Sequence, residues 1–222
     1  FKPFSNGEIT VPKKMKGILP DLVEKAAAEV NLQVEFVRRP WKRCIDELKG
    51  NKVDGIFVAI YLLEREVWGR FPLDEEGKPQ REYRLWTANY ALFHHEMEPD
   101  PWDGYRFSNA RRPFGAPRGY VAAKLLKEQG YPHTVKYLPL EGLRKTQAGL
   151  LGGYVIEEQV GRNLMRQHSL NVLQASSKVF LKSDWYLPFS HEFYERNPKL
   201  VKDFWRALKK YRDEELANPI NF

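Results

Sequence analysis

The chain has almost no cysteine, since Cys44 is the only one among its 222 residues. No disulfide can therefore form within the chain, and this neither indicates nor excludes an oxidising compartment, because disulfides are common but optional there. Cys44 also falls on the apolar stripe of a predicted helix, which favours an inert buried thiol over a nucleophile.

Long apolar runs are absent too, and none approaches the roughly 20 residues that a membrane-spanning helix needs. The composition, 42% hydrophobic and 29% charged, is typical of a globular domain. The length allows one large domain or two lobes, and we favour two. No secretory signal is visible, and the abrupt opening Phe1-Lys-Pro-Phe4 is typical of a chain whose beginning has been removed.

The motifs of common enzyme classes are missing as well. There is no P-loop, no dinucleotide glycine pattern and no Gly-x-Ser-x-Gly elbow. His191-Glu-Phe-Tyr-Glu195 begins like a zinc-protease helix but has Glu where the second histidine must stand. His94 and His95 are adjacent, so on a strand their side chains point to opposite faces and do not chelate together. We therefore predict no catalytic residue, no metal site and no cofactor.

Positive charge is in excess, with 36 Lys and Arg against 29 Asp and Glu and a net charge of +7. This favours anionic surroundings, such as nucleic acid, an anionic membrane face or an acidic small molecule. The basic residues lie along the whole chain singly or in pairs, whereas a groove binder concentrates positive charge on one face. A helix-turn-helix segment is also absent, so nucleic acid is not the predicted partner.

Amphipathic patterns predict helices in the first quarter of the chain. Apolar residues recur at helical spacing over residues 19–30, with Pro20 where its missing N–H costs nothing. Residues 33–37 are a predicted strand. A second apolar stripe over residues 41–48 predicts a helix that Gly50 ends.

Residues 53–60 are the next predicted strand, and their continuous apolar run suits a strand buried on both faces of a parallel sheet. An isolated arginine, Arg65, follows. The strand ends of a β-α-β-α unit face a cleft, where a single arginine could hold an anionic ligand.

The remaining pattern predicts a polar, turn-rich excursion and then a second α/β lobe. The excursion covers residues 72–84, and residues 90–95 open the lobe. Its other predicted elements are a strand at 113–117, a helix at 121–129, a strand at 135–138, a helix at 143–151 that Gly152-Gly153 terminates, and a strand at 154–156.

The final section ends in a helix with Asn197 as N-cap and Pro198 in its first position. We expect it to pack on the first lobe. The predicted organisation is a discontinuous lobe 1, residues 1–88 and 184–222, and a lobe 2 at residues 89–183.

Several short motifs follow one another in a recognisable order. They are Phe1-Lys-Pro-Phe4, Gly17-Ile-Leu-Pro-Asp-Leu22, Pro40-Trp-Lys-Arg43, Gly50, Asp54, Glu64-Arg65, Gly119-Tyr120 and Tyr186-Leu-Pro-Phe-Ser190. Together they resemble the extracellular solute-binding proteins of family 3, the type II periplasmic binding proteins of ABC transporters. The resemblance implies an α/β fold of two lobes, each a sheet flanked by helices, with two crossover strands and a ligand cleft between the lobes.

The resemblance also implies a non-enzymatic function. Such a protein captures a small polar solute, commonly an amino acid, by lobe closure and delivers it to an ABC permease in the inner membrane. It implies a periplasmic protein whose signal peptide has been removed, and we expect a monomer. The same fold also serves as the sensor domain of membrane receptors, and a cleft enzyme on this fold is a further alternative.

Two first-lobe residues match ligand-binding positions of that family. Arg65 matches the arginine that pairs with a ligand carboxylate, a task suited to the planar guanidinium fork. The other interpretation is a surface arginine near a short helix. Phe1 matches the aromatic residue that stacks on the ligand.

The second lobe supplies the other matches. Glu157 falls on the family acid that receives the ligand's amino group, but it could equally be the first residue of a helix, favoured there by the helix dipole. Gly119 and Tyr120 match a turn whose backbone N–H groups help to bind the carboxylate at a helix start.

The chain departs from the family pattern at two places. Family members that bind ordinary amino acids have Ser or Thr before the arginine, whereas residues 57–63 are apolar and only Tyr61 offers a hydroxyl. Gly149-Leu-Leu-Gly152 also replaces a Gly-Arg-x-Asp motif. These departures leave the ligand class open, so another small carboxylate or a polar aromatic solute is an alternative to an amino acid.

Overall fold

The computed structural model describes residues 2–6, 12, 16–108 and 111–217. The chain divides into two compact units. Unit 1 comprises Phe1–Thr87 and Asp184–Phe222, and unit 2 is the continuous segment Ala88–Ser183. Because unit 1 is built from both ends of the sequence, the chain passes between the units twice.

The described residues form α-helices and short strands in a mixed order. The helices are α1 (Ile18–Glu29), α2 (Trp41–Lys49), α3 (Val121–Glu128), α4 (Pro139–Gln147), α5 (Glu158–Gln167), α6 (His191–Arg196) and α7 (Pro198–Ala217). The strands are β1 (Ala59–Ile60), β2 (Trp86–His95), β3 (Phe114–Gly115), β4 (His133–Thr134), β5 (Gly153–Glu157), β6 (Leu173–Ala175) and β7 (Leu181–Tyr186). Single 3-10 turns cover Leu63–Arg65 and Arg81–Tyr83. None of these helices combines the length and the apolar character needed to cross a bilayer.

The core of unit 1 forms where α1 packs against α7. The apolar stripe predicted for α1 is buried, and α7 buries Val201, Phe204, Trp205 and Leu208. Pro20 lies in the first turn of α1, where a backbone N–H would have no partner within the helix. The first, second and last predicted helices are therefore confirmed, including the start of α7 at Pro198.

The strands of unit 1 differ from the prediction. Only Ala59 and Ile60 of the predicted strand at 53–60 are in a regular strand, which pairs antiparallel with Tyr186 and Trp185 of β7. Residues 51–54 form turns and bends, and Val58 has a φ of 73°, a left-handed conformation that a β-branched residue rarely adopts. The prediction of a parallel strand was therefore wrong, because the ladder partner comes from the far end of the chain.

The predicted strand at 33–37 was also wrong, since the structure assigns no strand to these residues. Of its apolar residues, Phe36 is used for side-chain packing, whereas Val37 is 46% exposed. The rings of Phe36 and Phe57 lie edge to face, with their centroids 6.1 Å apart.

Unit 2 is built on a mixed sheet. β2 pairs antiparallel with β5, in a register that places Tyr90 opposite Glu157, and also with β6. β3 runs parallel to both β4 and β5. Leu92, Phe93 and Ile156 are fully buried, so the apolar strands form the centre of this unit.

Two predicted elements of unit 2 are displaced along the sequence. The helix α4 covers Pro139–Gln147 rather than 143–151, because Pro139 suits the first turn and Gly149, with a φ of 69°, takes the left-handed position after the helix. The predicted strand at 135–138 is wrong, since the strand is His133–Thr134. Within α4, position 142 requires glycine, because a Cβ there would lie 2.0 Å from the Tyr154 ring.

A buried arginine fastens α7 to the rest of unit 1. Arg212 is 2% exposed and its Nη1 donates to the carbonyl oxygens of Glu82, at 2.9 Å, and Arg84. The guanidinium also donates to Asp213 of the next position, 2.6 Å from Nη2. Arg212 thus donates to one carbonyl within the turn Arg81–Tyr83, that of Glu82, and to the carbonyl of Arg84, which follows the turn.

Candidate functional site

Arg65 lies at the end of the 3-10 turn that follows β1, and it is only 6% exposed. Its Nη1 donates to the carbonyl of Ile60 at 3.0 Å, and its guanidinium lies over the Trp68 ring, 4.4 Å from the centroid. Trp68 in turn contacts Trp41 edge to face at 6.2 Å. Stacking uses the face of a guanidinium, whereas its N–H donors lie in the plane. These contacts therefore fix the direction in which Arg65 donates.

Tyr61 has hydrogen-bond partners inside unit 1. Its hydroxyl donates to Glu66 Oε1 at 2.5 Å and lies 3.3 Å from the carbonyl oxygen of Gly77. Its ring packs edge to face against Phe71, with centroids 5.4 Å apart. Desolvation and the carboxylate of Glu66 raise the pKa of Tyr61 to about 12, so the phenol is protonated at neutral pH. This geometry shows a packing role, and ligand contact by Tyr61 stays a prediction.

Glu157 ends β5 and is the N-cap of α5. Its carboxylate accepts a hydrogen bond from the backbone N–H of Val160 at 2.8 Å, and the side chain is 2% exposed. Burial raises the pKa of Glu157 to about 7, although the hydrogen bonds from backbone N–H groups act in the opposite direction. Near neutral pH this group can therefore exchange between a carboxyl and a carboxylate.

Gly119 and Tyr120 form the turn between β3 and α3. Gly119 has a φ of 81°, which a residue with a side chain rarely adopts, and Tyr120 is the N-cap of α3. The backbone N–H of Tyr120 donates to the carbonyl of Pro117 at 3.2 Å. Since β3 and β5 are parallel, this turn and Glu157 follow two neighbouring strands at the same edge of the sheet. Ligands of α/β proteins bind at this kind of edge.

The predicted site residues therefore fall into two groups. Arg65 and Tyr61 belong to unit 1, and Gly119, Tyr120 and Glu157 belong to unit 2. Phe1 lies outside the described residues. The sequence motifs did not identify Trp68, although an aromatic residue three positions after Arg65 is spaced to contact it on a helical turn. Among the residues described, no group of three or more His, Cys, Asp or Glu side chains is placed to hold a metal ion.

The raised pKa of Glu157 predicts a specific pH dependence of stability. A carboxyl whose folded pKa is near 7 and whose ordinary value is 4.5 stabilises the fold below pH 4.5, and this contribution is lost as pH rises through 7. Glu157→Gln keeps the capping oxygen without the charge. Between these pH values we expect the free energy of unfolding of the wild type to fall by about 3 kcal/mol relative to that of this variant. Urea unfolding at pH 5, 6, 7 and 8 measures the difference.

The matched control is Glu158→Gln, which changes the neighbouring, partly exposed carboxylate that pairs with Arg162. We expect this variant to keep most of the wild-type pH dependence, because burial is the largest cause of the raised pKa of Glu157 and the Glu158 charge contributes less. Parallel curves for the wild type and Glu157→Gln would show that Glu157 ionises normally in the folded protein.

Comparison with known proteins shows what this chain is similar to. Residues 1–71 match the model of the bacterial extracellular solute-binding proteins, family 3, and no curated protein matches. The resemblance predicted from the sequence motifs is thereby confirmed. The proteins of that family are extracellular solute-binding proteins, so the match supports a ligand-binding function for this chain.

Solved structures of similar shape extend the comparison to nearly the whole chain. A histidine kinase sensor domain with similarity to periplasmic binding proteins has 18% identity and a TM-score of 0.76, over 97% of this chain and 87% of that chain. A mutant of ArgBP from T. maritima has 13% identity and a TM-score of 0.72 over the same shares. The arginine-, lysine-, histidine-binding protein ArtJ from Geobacillus stearothermophilus has 15% identity and a TM-score of 0.72, again over 97% and 87%. The predicted type II periplasmic-binding-protein fold is confirmed.

Proposed function

We propose that this chain is an extracytoplasmic solute-binding protein that captures a small polar, carboxylate-bearing solute by closure of its two units. The captured solute, an amino acid or a related compound, is then delivered to an ABC permease of the inner membrane. In this proposal the chain acts in the periplasm as a monomer and catalyses no reaction.

The observation that carries the proposal is the placement of Arg65. Its guanidinium is buried directly after β1 and is oriented by the Ile60 carbonyl and the Trp68 ring. An arginine held in this way forms strong, directional hydrogen bonds to a carboxylate, because less conformational freedom is lost when the ligand binds. The match of residues 1–71 to the solute-binding family supports the same role.

Glu157 provides a complementary group for the other end of a zwitterion. A cationic amino group beside this carboxyl favours its ionised form and lowers its pKa from about 7. Binding of an amino acid near pH 7 then releases a proton. A solute without an amino group does not favour ionisation of Glu157, so proton release distinguishes an amino acid from a simple carboxylate.

The experiment that tests the proposal is a thermal-shift screen against amino acids, small carboxylates, polyamines and aromatic acids. Saturable stabilisation by one class containing a carboxylate is expected, and a ligand at 100 times its Kd stabilises the fold by about 2.7 kcal/mol. Calorimetry in two buffers of different ionisation enthalpy then counts the protons released. Stabilisation by polyamines alone contradicts a carboxylate ligand, and turnover of a bound compound contradicts a binding protein.

Ligand sensing is a second candidate function. The histidine kinase sensor domain has the same fold over 97% of this chain, which is the specific observation in its favour. Uptake of the ligand named by the screen separates the two functions in cells that lack this protein. Lost uptake supports delivery to a permease, whereas normal uptake with a lost transcriptional response supports sensing.

A further inference from the structure

A small cavity lies within unit 1, between the segment that follows Gly69 and the helices α6 and α7. Its volume is about 230 Å³, below the roughly 300 Å³ at which pockets for drug-sized ligands begin. The size therefore suits a small ion or a single small ring. We call it the Arg70 cavity, after a residue of its wall.

The charged residues in the described wall of the Arg70 cavity are all positive. Arg70, Lys202 and Arg206 line it, and no Asp or Glu is among the described residues that do so. Lys202 and Arg206 are exposed and lie one turn apart on α7, where like charges repel. Arg206 has a counter-charge in Asp203, with Nη1 and Oδ1 2.5 Å apart. No such ion pair exists for Arg70 or Lys202 in the described part of the chain, so a bound anion would relieve the repulsion.

The backbone of Arg70 is paired, and its side chain contacts one aromatic ring. Its N–H donates to the carbonyl of Phe189 at 2.6 Å, and its own carbonyl accepts from Phe189 N at 3.1 Å. Its guanidinium lies over the Tyr194 ring, 5.3 Å from the centroid. Such stacking occupies the face of the guanidinium and leaves its in-plane donors to bind acceptors. Arg70 is exposed, so its guanidinium is open to a bound oxyanion while the Tyr194 ring limits its orientation.

The aromatic part of the wall is rigid. Tyr194 stacks on Trp205, with centroids 6.2 Å apart and ring planes 29° apart. The indole N–H of Trp205 donates to the carbonyl of Leu187 at 2.9 Å, and this bond fixes the ring. Gln80 is fixed as well, because its Nε2 donates to the carbonyl of Leu73 at 2.7 Å. An aromatic wall that is fixed in this way loses little side-chain freedom when a ligand binds against it.

We propose that the Arg70 cavity is a second binding site, specific for a small oxyanion, either phosphate or the carboxylate of a small ring compound. Arg70 and Lys202 provide the charge-assisted hydrogen bonds, and Tyr194 and Trp205 form the apolar wall. The site is independent of Arg65 and of the solute assigned to the proposed function.

Calorimetric titration with inorganic phosphate and, separately, with benzoate tests the proposal. Ionic strength is held constant with sodium chloride, because salt alone screens exposed charges. Saturable binding of phosphate indicates that the site takes an inorganic oxyanion. Tighter binding of benzoate than of phosphate indicates that the ligand is the carboxylate of a ring compound. Both results support the proposal, and the absence of saturable binding of either probe overturns it.

Variants connect the binding to the cavity. Lys202→Ala is expected to weaken binding by about tenfold or more, and Arg70→Gln by a similar factor, because each removes a hydrogen bond from a charged donor. Lys199→Ala removes a lysine of α7 that does not line the cavity, and this control is expected to bind like the wild type. Lys202 is exposed and without an ion pair in the described residues, so its variant tests the site even if Arg70→Gln fails to fold. Unchanged affinity in Lys202→Ala, or a loss caused by Arg65→Ala instead, overturns the proposal.

Discussion

Replacing Arg65 with alanine is expected to remove most of the stabilisation that a carboxylate ligand confers. A paired carboxylate loses two charge-assisted hydrogen bonds in this variant, each worth about 1.5 to 3 kcal/mol, so affinity falls by about 100-fold or more. A ligand added at 100 times the wild-type Kd then stabilises the variant by only about 0.4 kcal/mol instead of about 2.7. The measurement is the ligand-dependent shift in Tm for the ligand found by the screen.

The controls for Arg65→Ala separate binding from folding. Arg65→Lys keeps the charge but not the planar fork, and an intermediate shift is expected. Trp68→Leu removes the stacking partner, 4.4 Å from the guanidinium, and leaves the guanidinium itself, so most of the ligand response should persist. An undiminished shift in Arg65→Ala would exclude Arg65 from the ligand site.

Replacing Arg212 with alanine is expected to cost about 3 to 5 kcal/mol of unfolding free energy. The side chain is 2% exposed, and its loss leaves the carbonyls of Glu82 and Arg84 without this donor. Two carbonyl oxygens that lose a charged donor together account for a cost of this size, because each is left without a hydrogen bond where water has little access. Urea unfolding at pH 7, followed by tryptophan fluorescence, measures the loss.

Asp213→Ala is the matched control for Arg212→Ala. Asp213 is the carboxylate partner of Arg212, but its side chain is 51% exposed, and an exposed partner contributes little. We expect a loss below about 1 kcal/mol for this variant. An equally small loss for Arg212→Ala would show that the two carbonyls find other donors and that Arg212 does not fasten α7.

The helices were predictable because the information is local. The apolar spacing of α1 and the start of α7 at Pro198 lie within the helices or at their ends, and both predictions are confirmed, whereas the N-cap role of Asn197 stays a prediction. The end of α2 at Lys49 was predicted from Gly50, but the left-handed residue is Asn51, with a φ of 54°. A sequence pattern thus predicts where a helix ends more readily than which residue takes the left-handed conformation after it.

Strands were less predictable because their partners lie far away in the sequence. Nothing in residues 53–60 indicates that Ala59 and Ile60 pair with Trp185 and Tyr186 of the final quarter. The apolar pattern of residues 33–37 equally suits a strand or a packed irregular segment, and the contact of Phe36 with Phe57 shows the second. Periodicity reports which residues are buried, and the partner decides the secondary structure.

The candidate site was partly predictable. The family motifs located Arg65, but its support by Trp68 and the Ile60 carbonyl depends on the folded backbone. The glutamate after Ile156 was recognised as a helix start or a ligand acid, and the structure shows the helix-start role through its bond to Val160 N–H. Its pKa near 7 arises from burial in the folded unit, which no local pattern specifies.

The packing of α1 against α7 has a consequence for synthesis on the ribosome. The apolar face of α1 (Ile18–Glu29) is made well before its cover, α7 (Pro198–Ala217). Unit 2 is continuous from Ala88 to Ser183 and can assemble while the chain is still growing, since domains generally fold as units during synthesis. Unit 1 must wait until its second segment emerges, and until then the nascent chain exposes an apolar surface of the kind that chaperones recognise.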